Sequence, residues 1–201
     1  MDEQTIKILE KELQENPQSV FAHHRLALAY WKAQRLEDAI SIFKRLLKID
    51  PSNFEARINL GTLLAQVGYL EHAQKQFETA LKIYPSSAEA LVNLGLVHFH
   101  LGNLSKAKEY YEKALEIKPE WPPLLVNLST VYIEEGQFEK AVSCCQKALE
   151  TDPEFSMAYN NLAVAYYHLG EREKAREALD KAKGLGYPVD KTLEEQIMEG
   201  G

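Results

Sequence analysis

The sequence predicts an all-α fold made by stacking one helix pair five times. Three observations predict it. Pro17, Pro51, Pro85, Pro119 and Pro153 recur with every gap equal to 34 residues. Gly68, Gly102, Gly136 and Gly170 keep the same interval, as do Ala39, Ala73, Ala107, Ala141 and Ala175. Leu26, Leu60, Leu94, Leu128 and Leu162 form a further ladder at that spacing. Such a period is the signature of a solenoid, in which each unit buries its apolar face against the next. The units run 20–53, 54–87, 88–121, 122–155 and 156–189, between an incomplete leading repeat at 1–19 and a closing segment at 190–201.

Each unit, numbered 1 to 34, reads as two helices. Helix A is expected over positions 2 to 14, with its leucine at position 7. Glycine at position 15 suits the residue just past a helix, because it enters the left-handed region without a Cβ penalty. The first unit has Gln34 there, which predicts a less favourable turn. Helix B carries the alanine at position 20, where a small side chain lets two backbones approach. It also carries a bulky residue at position 24: Phe43, Phe77, Tyr111, Cys145 and Leu179. Proline at position 32 ends helix B, since it lacks an N–H and disfavours helix in the residue before it. Ser52-x-x-Glu55 and Ser86-x-x-Glu89 read as capping boxes for the next helix. Pro122 and Pro123 suit a first helical turn, where a missing N–H is not felt.

The ends read as caps. Residues 4–16 place Ile6, Leu9 and Leu13 at helical spacing, like a lone helix B. The fifth unit decays, with Lys183 at position 28 and its proline slipped to Pro188. Residues 191–198 predict a short polar helix with Leu193 and Ile197 inward. Terminal elements with one polar face keep a solenoid soluble.

The pattern resembles the tetratricopeptide repeat, a helix–turn–helix unit of the same length. The third unit supplies Leu94-Gly95, Gly102, Ala107, Tyr111, Ala114-Leu115 and Pro119, and departs at position 11, where His98 stands for tyrosine. Tyr30, Tyr132 and Tyr166 keep that tyrosine. The resemblance implies a right-handed α-solenoid whose A helices line a concave groove. It also implies a non-catalytic scaffold that binds proteins or peptides.

Composition narrows the alternatives. Hydrophobic residues make up 45% of the chain and charged residues 26%, which is ordinary foldable composition. The net charge of -7 gives no basic stripe for a nucleic-acid backbone, so nucleic acid is not expected as a partner. No apolar run is long enough for a membrane span, and the first residues lack a signal-peptide pattern. Cys144 and Cys145 are adjacent on one helix, about 100° apart, and do not form an ordinary disulfide with each other. The expected compartment is a reducing cytoplasm.

No residue set reads as a catalytic or metal constellation, and neither an enzyme nor a cofactor is expected. His98 and His100 are two apart on a helix and face different ways, and His23 and His24 are adjacent. The glycines punctuate helix pairs rather than cradle a phosphate. His98 reads as a core histidine and Cys145 as an inert core side chain. Cys144 is the thiol with the better claim to exposure.

Folding leaves one feature unexplained. Positions 4, 7, 8 and 11 cluster on the face of helix A that packs on helix B. Positions 2, 5, 6, 9, 12 and 13 lie opposite. Positions 5, 9 and 12 read His24, Leu28, Trp31; Ile58, Thr62, Ala65; Val92, Leu96, Phe99; Val126, Thr130, Ile133; and Asn160, Val164, Tyr167. A helix needs one apolar stripe to fold, and these have two. Packing between neighbouring A helices uses part of the second. The rest is a candidate binding surface. Position 6 holds Arg25, Asn59, Asn93, Asn127 and Asn161. Each asparagine amide both donates and accepts, and is able to grip a peptide backbone. Arg25, Leu28, Trp31, Asn59, Asn93, Leu96, Phe99, His100, Asn127, Asn161, Tyr167 and His168 are the candidate groove residues.

Glu55 and Glu89, at position 2, are assigned to the capping boxes rather than to a basic ligand. The family's carboxylate clamp for acidic C-termini needs lysines and arginines at positions 2, 5 and 6, where only Arg25 is basic. The reading is a module that binds a peptide segment through apolar side chains. The rival is a structural or self-assembling subunit using convex or terminal surfaces, and the oligomeric state is open.

Overall fold

The computed structural model describes residues 3–199. The described residues hold twelve α-helices and no strand. α1 (Glu3–Glu15) precedes five helix pairs. These are α2 (Val20–Lys32) with α3 (Leu36–Ile49), α4 (Phe54–Gln66) with α5 (Leu70–Ile83), and α6 (Ala88–His100) with α7 (Leu104–Ile117). Then come α8 (Pro122–Glu134) with α9 (Phe138–Thr151), α10 (Ser156–His168) with α11 (Arg172–Gly184), and last α12 (Lys191–Glu199). The fold is an all-α solenoid. The A helices start and end one residue earlier than the sequence pattern suggests. The chain divides between Val97 and His98 into two compact units. Most of α6 belongs to the first unit and its last turn to the second.

The capping explains the shift of one. Asn53, not Ser52, is the N-cap of α4, and its side chain accepts from the Ala56 N–H at 2.9 Å. Ser52 instead donates its hydroxyl to Asp50. In the third repeat the buried Ser87 Oγ accepts from the Ala90 N–H at 3.1 Å, so Ser86 is not the cap either. The two capping boxes therefore do not form, and Glu55 falls at the second helical residue of α4. α2 is capped in the same way, with Ser19 Oγ accepting from Ala22 N–H. α8 has no side-chain cap, but its first two residues are prolines, which removes two of the N–H groups a cap would serve.

The turn inside each pair is uniform. Gly68, Gly102, Gly136 and Gly170 all take positive φ, between 70° and 84°. Gln34 takes the same left-handed conformation at φ 60°, so the chain geometry overrides residue preference there. In the B helices the alanine of position 20 is 0% exposed in all five repeats. Position 24 sits beside it, with Phe43, Phe77, Tyr111, Cys145 and Leu179 at most 1% exposed. The bulky residue dictates a small partner at position 8. A Cβ added to Gly61 would lie 2.6 Å from the Phe77 ring. In the fourth repeat Ser129 fills that place and Cys145 is the shorter partner.

α1 and α12 each bury one apolar face. Ile6, Leu9 and Leu13 of α1 are buried. Tyr30 of α2 donates its hydroxyl to Glu10 at 2.6 Å, and burial followed by this bond pushes its pKa up to about 12. In the second unit Ile197 of α12 is 1% exposed and joins a cluster with Leu179, Ala178 and Leu162. Arg176 ties the same helix down through the carbonyls of Ile197 and Met198.

The strained turn at Gln34 gives a direct test. A non-glycine residue in the left-handed region costs about 1–2 kcal/mol, part of which glycine gives back as unfolded-chain entropy. Gln34→Gly is expected to raise stability by about 0.5–1 kcal/mol in urea unfolding. A neutral or destabilising result would show that the Gln34 side chain makes compensating contacts.

Candidate functional site

The second stripe of the A helices divides cleanly by position. At position 5, Ile58, Val92 and Val126 are buried, while His24 and Asn160 are partly covered. At positions 9 and 12 no residue is buried. Leu28, Trp31, Thr62, Ala65, Phe99, Thr130, Ile133, Val164 and Tyr167 are half-buried, and Leu96 is 38% exposed. Position 5 thus belongs to the stacking of repeats, and positions 9 and 12 form the floor that folding leaves open.

In the first unit this floor is built by α2, α4 and α6. Two hydrogen bonds set α2 beside α4. Trp31 Nε1 donates to Gln66 Oε1 at 3.1 Å, and Asn59 Nδ2 lies 3.2 Å from His24 Nε2. His24 Nε2 is also 3.4 Å from the exposed Glu55 carboxylate. Arg25 is engaged by Glu12 of α1, with its guanidinium 2.7 and 3.0 Å from the two carboxylate oxygens. The same guanidinium lies 5.4 Å from the centre of the Phe21 ring. Phe21, at position 2, is 67% exposed. The sequence pattern did not single it out. Its sign was available, because a large aromatic stood on the polar-rim side of helix A. Leu28 and Trp31 flank this mouth, and Asn93 and Leu96 are the α6 contribution.

The second unit places its candidates less uniformly. Asn161 is buried, and its amide donates to Ser129 Oγ and Thr130 Oγ1, both at 2.9 Å. This asparagine staples α10 to α8 and has its donors occupied by its own chain. Asn127 is half-buried and has no side-chain hydrogen bond among the described residues. His168 is exposed but stacks on Phe138, ring centres 4.6 Å apart and planes within 8°. Tyr167 meets the same imidazole edge-on at 5.4 Å. Phe99 and His100 pair edge-on at 5.8 Å. The position-6 ladder is therefore uneven. Asn59 and Asn161 bond to the preceding A helix, whereas Asn93 and Asn127 have no such bond among the described residues.

Groups outside this face behave as core. His98 is 3% exposed and stacks on Tyr110 at 5.4 Å. Cys145 is buried and Cys144 is half-buried, and burial pushes their thiols up, to about 12 and about 11. Among the described residues no group of three His, Cys, Asp or Glu side chains is placed to hold a metal ion. A cleft of about 920 Å³ opens between α10 and α11, lined by Tyr159, Leu162, Tyr166, Ala178 and Leu185. It lies on the helix-B side and is separate from the stripe.

Repeated helix pairs that leave an apolar face open define a helical-repeat interaction protein. The chain belongs to the tetratricopeptide repeat family, whose sequence models match residues 88–120 and residues 3–56, 31–91 and 132–184. No curated protein matches it. Similar solved structures include YrrB, a tetratricopeptide repeat protein with an unusual peptide-binding site. That likeness has 24% identity and a TM-score of 0.69, over 93% of this chain and 96% of that one. PilW, a type IV pilus biogenesis factor, is 24% identical with a TM-score of 0.81, over 90% of this chain and 84% of that one. MamA from Desulfovibrio magneticus RS-1 is 21% identical with a TM-score of 0.74, over 83% of this chain and 94% of that one. These likenesses show the shared fold. At the level of the family the chain is a protein–protein interaction module. Among the described residues no helix is long and apolar enough to cross a membrane.

The uneven ladder separates two kinds of asparagine. Asn161→Ala removes a buried donor from two hydroxyl acceptors and is expected to cost about 1–2 kcal/mol. Asn127→Ala is expected to stay within about 0.5 kcal/mol. Urea unfolding of both variants checks this, and equal losses would contradict it.

Proposed function

We propose that the A-helix face binds a peptide segment through its apolar side chains. The observation that supports this is the contrast between position 5, largely buried, and positions 9 and 12, nowhere buried. Leu28 and Trp31 are only partly covered and Leu96 is exposed, yet all three are large and apolar. Burying one such side chain on a ligand is worth about 1.5–3 kcal/mol. Asn93 and Asn127, whose amides carry no bond among the described residues, are the positions suited to grip a ligand backbone. Phe99, Tyr167, His100 and His168 are the corresponding candidates in the second unit. Arg25, held by Glu12, frames the first repeat rather than offering a free charge.

A second reading, a structural subunit that assembles through its convex side, draws on the cleft between α10 and α11. Its floor is lined by Tyr159 and Tyr166. The A-helix reading accounts for more of the sequence, because it explains a stripe present in all five repeats.

Trp31 reports on the choice. In a Trp121→Phe background it is the sole tryptophan. Twelve-residue peptides with leucine at alternate positions are expected to shift its emission to the blue as the remaining water leaves. Serine-substituted versions are expected to have no effect. Leu28→Asp is expected to weaken leucine-peptide binding by about 2 kcal/mol or more. Saturable binding with unchanged Trp31 emission and no effect of Leu28→Asp would place the ligand elsewhere.

A further inference from the structure

The cleft between α10 and α11 owes its size to small residues on α11. Tyr159, Leu162, Tyr166, Lys174 and Ala178 line it from positions 4, 7, 11, 19 and 23 of the fifth repeat. In the second repeat the same five positions help line a cleft of only about 350 Å³. There Gln76, at position 23, accepts from the Arg57 guanidinium at 3.1 Å and closes part of the space. In the third repeat Tyr110 fills position 23 and lies flat on His98 of position 11, with ring centres 5.4 Å apart and planes 7° apart. The first and fourth repeats have Ile42 and Cys144 there. Ala178 is the smallest of the five and has no atom beyond Cβ to cover Tyr166. Gly184 widens the opening at position 29, where the other repeats carry Lys48, Lys82, Glu116 and Glu150. A Cβ built on Gly184 would meet nothing within 4 Å. The cleft that results is about 920 Å³.

We propose that this cleft receives an aromatic side chain, phenylalanine or tyrosine, from a segment of a partner protein. The ring lies over Tyr166 as Tyr110 lies over His98, so the partner supplies what the third repeat supplies to itself. The two tyrosines of the cleft are held ready. Tyr166 accepts from Gln146 Nε2 at 3.4 Å, and Tyr159 donates to the Pro153 carbonyl at 3.2 Å. Neither partner lines the cleft, so both rings are fixed by their hydroxyls and binding does not have to order them. The Lys174 ammonium, 5.3 Å from the centre of the Tyr166 ring, offers the incoming ring a cation as well. Lys174 and Lys181 share the rim with Glu177 and Asp180, and Lys174 is ion-paired with Glu171. The rim therefore favours neither sign of charge, and selection falls to the ring. This site is separate from the A-helix face and stands or falls without it.

Three dodecapeptides of glycine, serine and glutamine, with one central phenylalanine, leucine or serine, test this by nuclear magnetic resonance on the full-length labelled protein. At about 1 mM the phenylalanine peptide is expected to shift Tyr159, Tyr166 and Ala178. It is expected to bind about three- to tenfold tighter than the leucine peptide, and the serine peptide not to bind. Affinity is expected to change less than about twofold between about 50 mM and about 0.5 M salt, because no charge pair carries it. Ala178→Tyr and Ala178→Gln place in the fifth repeat the residues of the third and second. Both are expected to fold and to weaken the phenylalanine peptide about tenfold or more. Leu28→Asp, on the A-helix face, is expected to leave it unchanged. Equal binding of the phenylalanine and leucine peptides, binding that survives both Ala178 variants, or no shift at the cleft overturns the proposal. So does a dimer in light scattering that Ala178→Tyr dissociates, which would make a second copy of the chain the occupant.

Discussion

The close approach of paired helices at the alanine of position 20 is the contact on which the rest of the structure depends. The alanine is fully buried in every repeat, and in the second repeat position 24 lies against position 8. The packing there is tight enough that Gly61 has no room for a methyl group against Phe77. One helix pair made this way still has an open apolar edge, which only a neighbouring pair covers. That necessity explains the strict period and the left-handed turn imposed even on Gln34. It also fixes which face of helix A remains for other uses.

That remaining face is shaped by the same stacking. Position 5 is drawn into the seam between repeats, and the seam takes some polar groups with it. Asn161 spends its amide on Ser129 and Thr130, and Asn59 meets His24. What the seam does not use is a floor of larger apolar side chains at positions 9 and 12, bordered by charged residues. It offers surface of fixed spacing, and selectivity follows from which side chains line it.

Much of this was legible in the sequence because the fold is one local rule repeated. Proline, glycine and alanine each carry a backbone or packing requirement that needs no distant partner to read. The misread details were those decided by neighbours of nearly equal ability. Ser52 and Asn53 are both good caps, as are Ser86 and Ser87, and the pattern favoured the box with a glutamate three residues on. The structure uses the other member of each pair. Exposure was also beyond reach one residue at a time. Read one residue at a time Asn161 and Asn127 look alike, and what sets Asn161 apart is the pair of hydroxyls on Ser129 and Thr130 one repeat earlier. Phe21 was overlooked because a lone aromatic outside the stripe carries no periodic signal.

The central claim is that ligand lies on the half of the A-helix stripe that stacking leaves open. Nuclear magnetic resonance mapping of the labelled protein with a dodecapeptide that carries leucine at alternate positions tests it most directly. The account predicts shifts concentrated at Leu28, the Trp31 indole N–H, the Asn59 and Asn93 side-chain amides and Leu96. It predicts little change at Tyr159, Tyr166 and Leu185, which line the cleft between α10 and α11. Shifts centred on those cleft residues, with the A-helix positions unmoved, would contradict it.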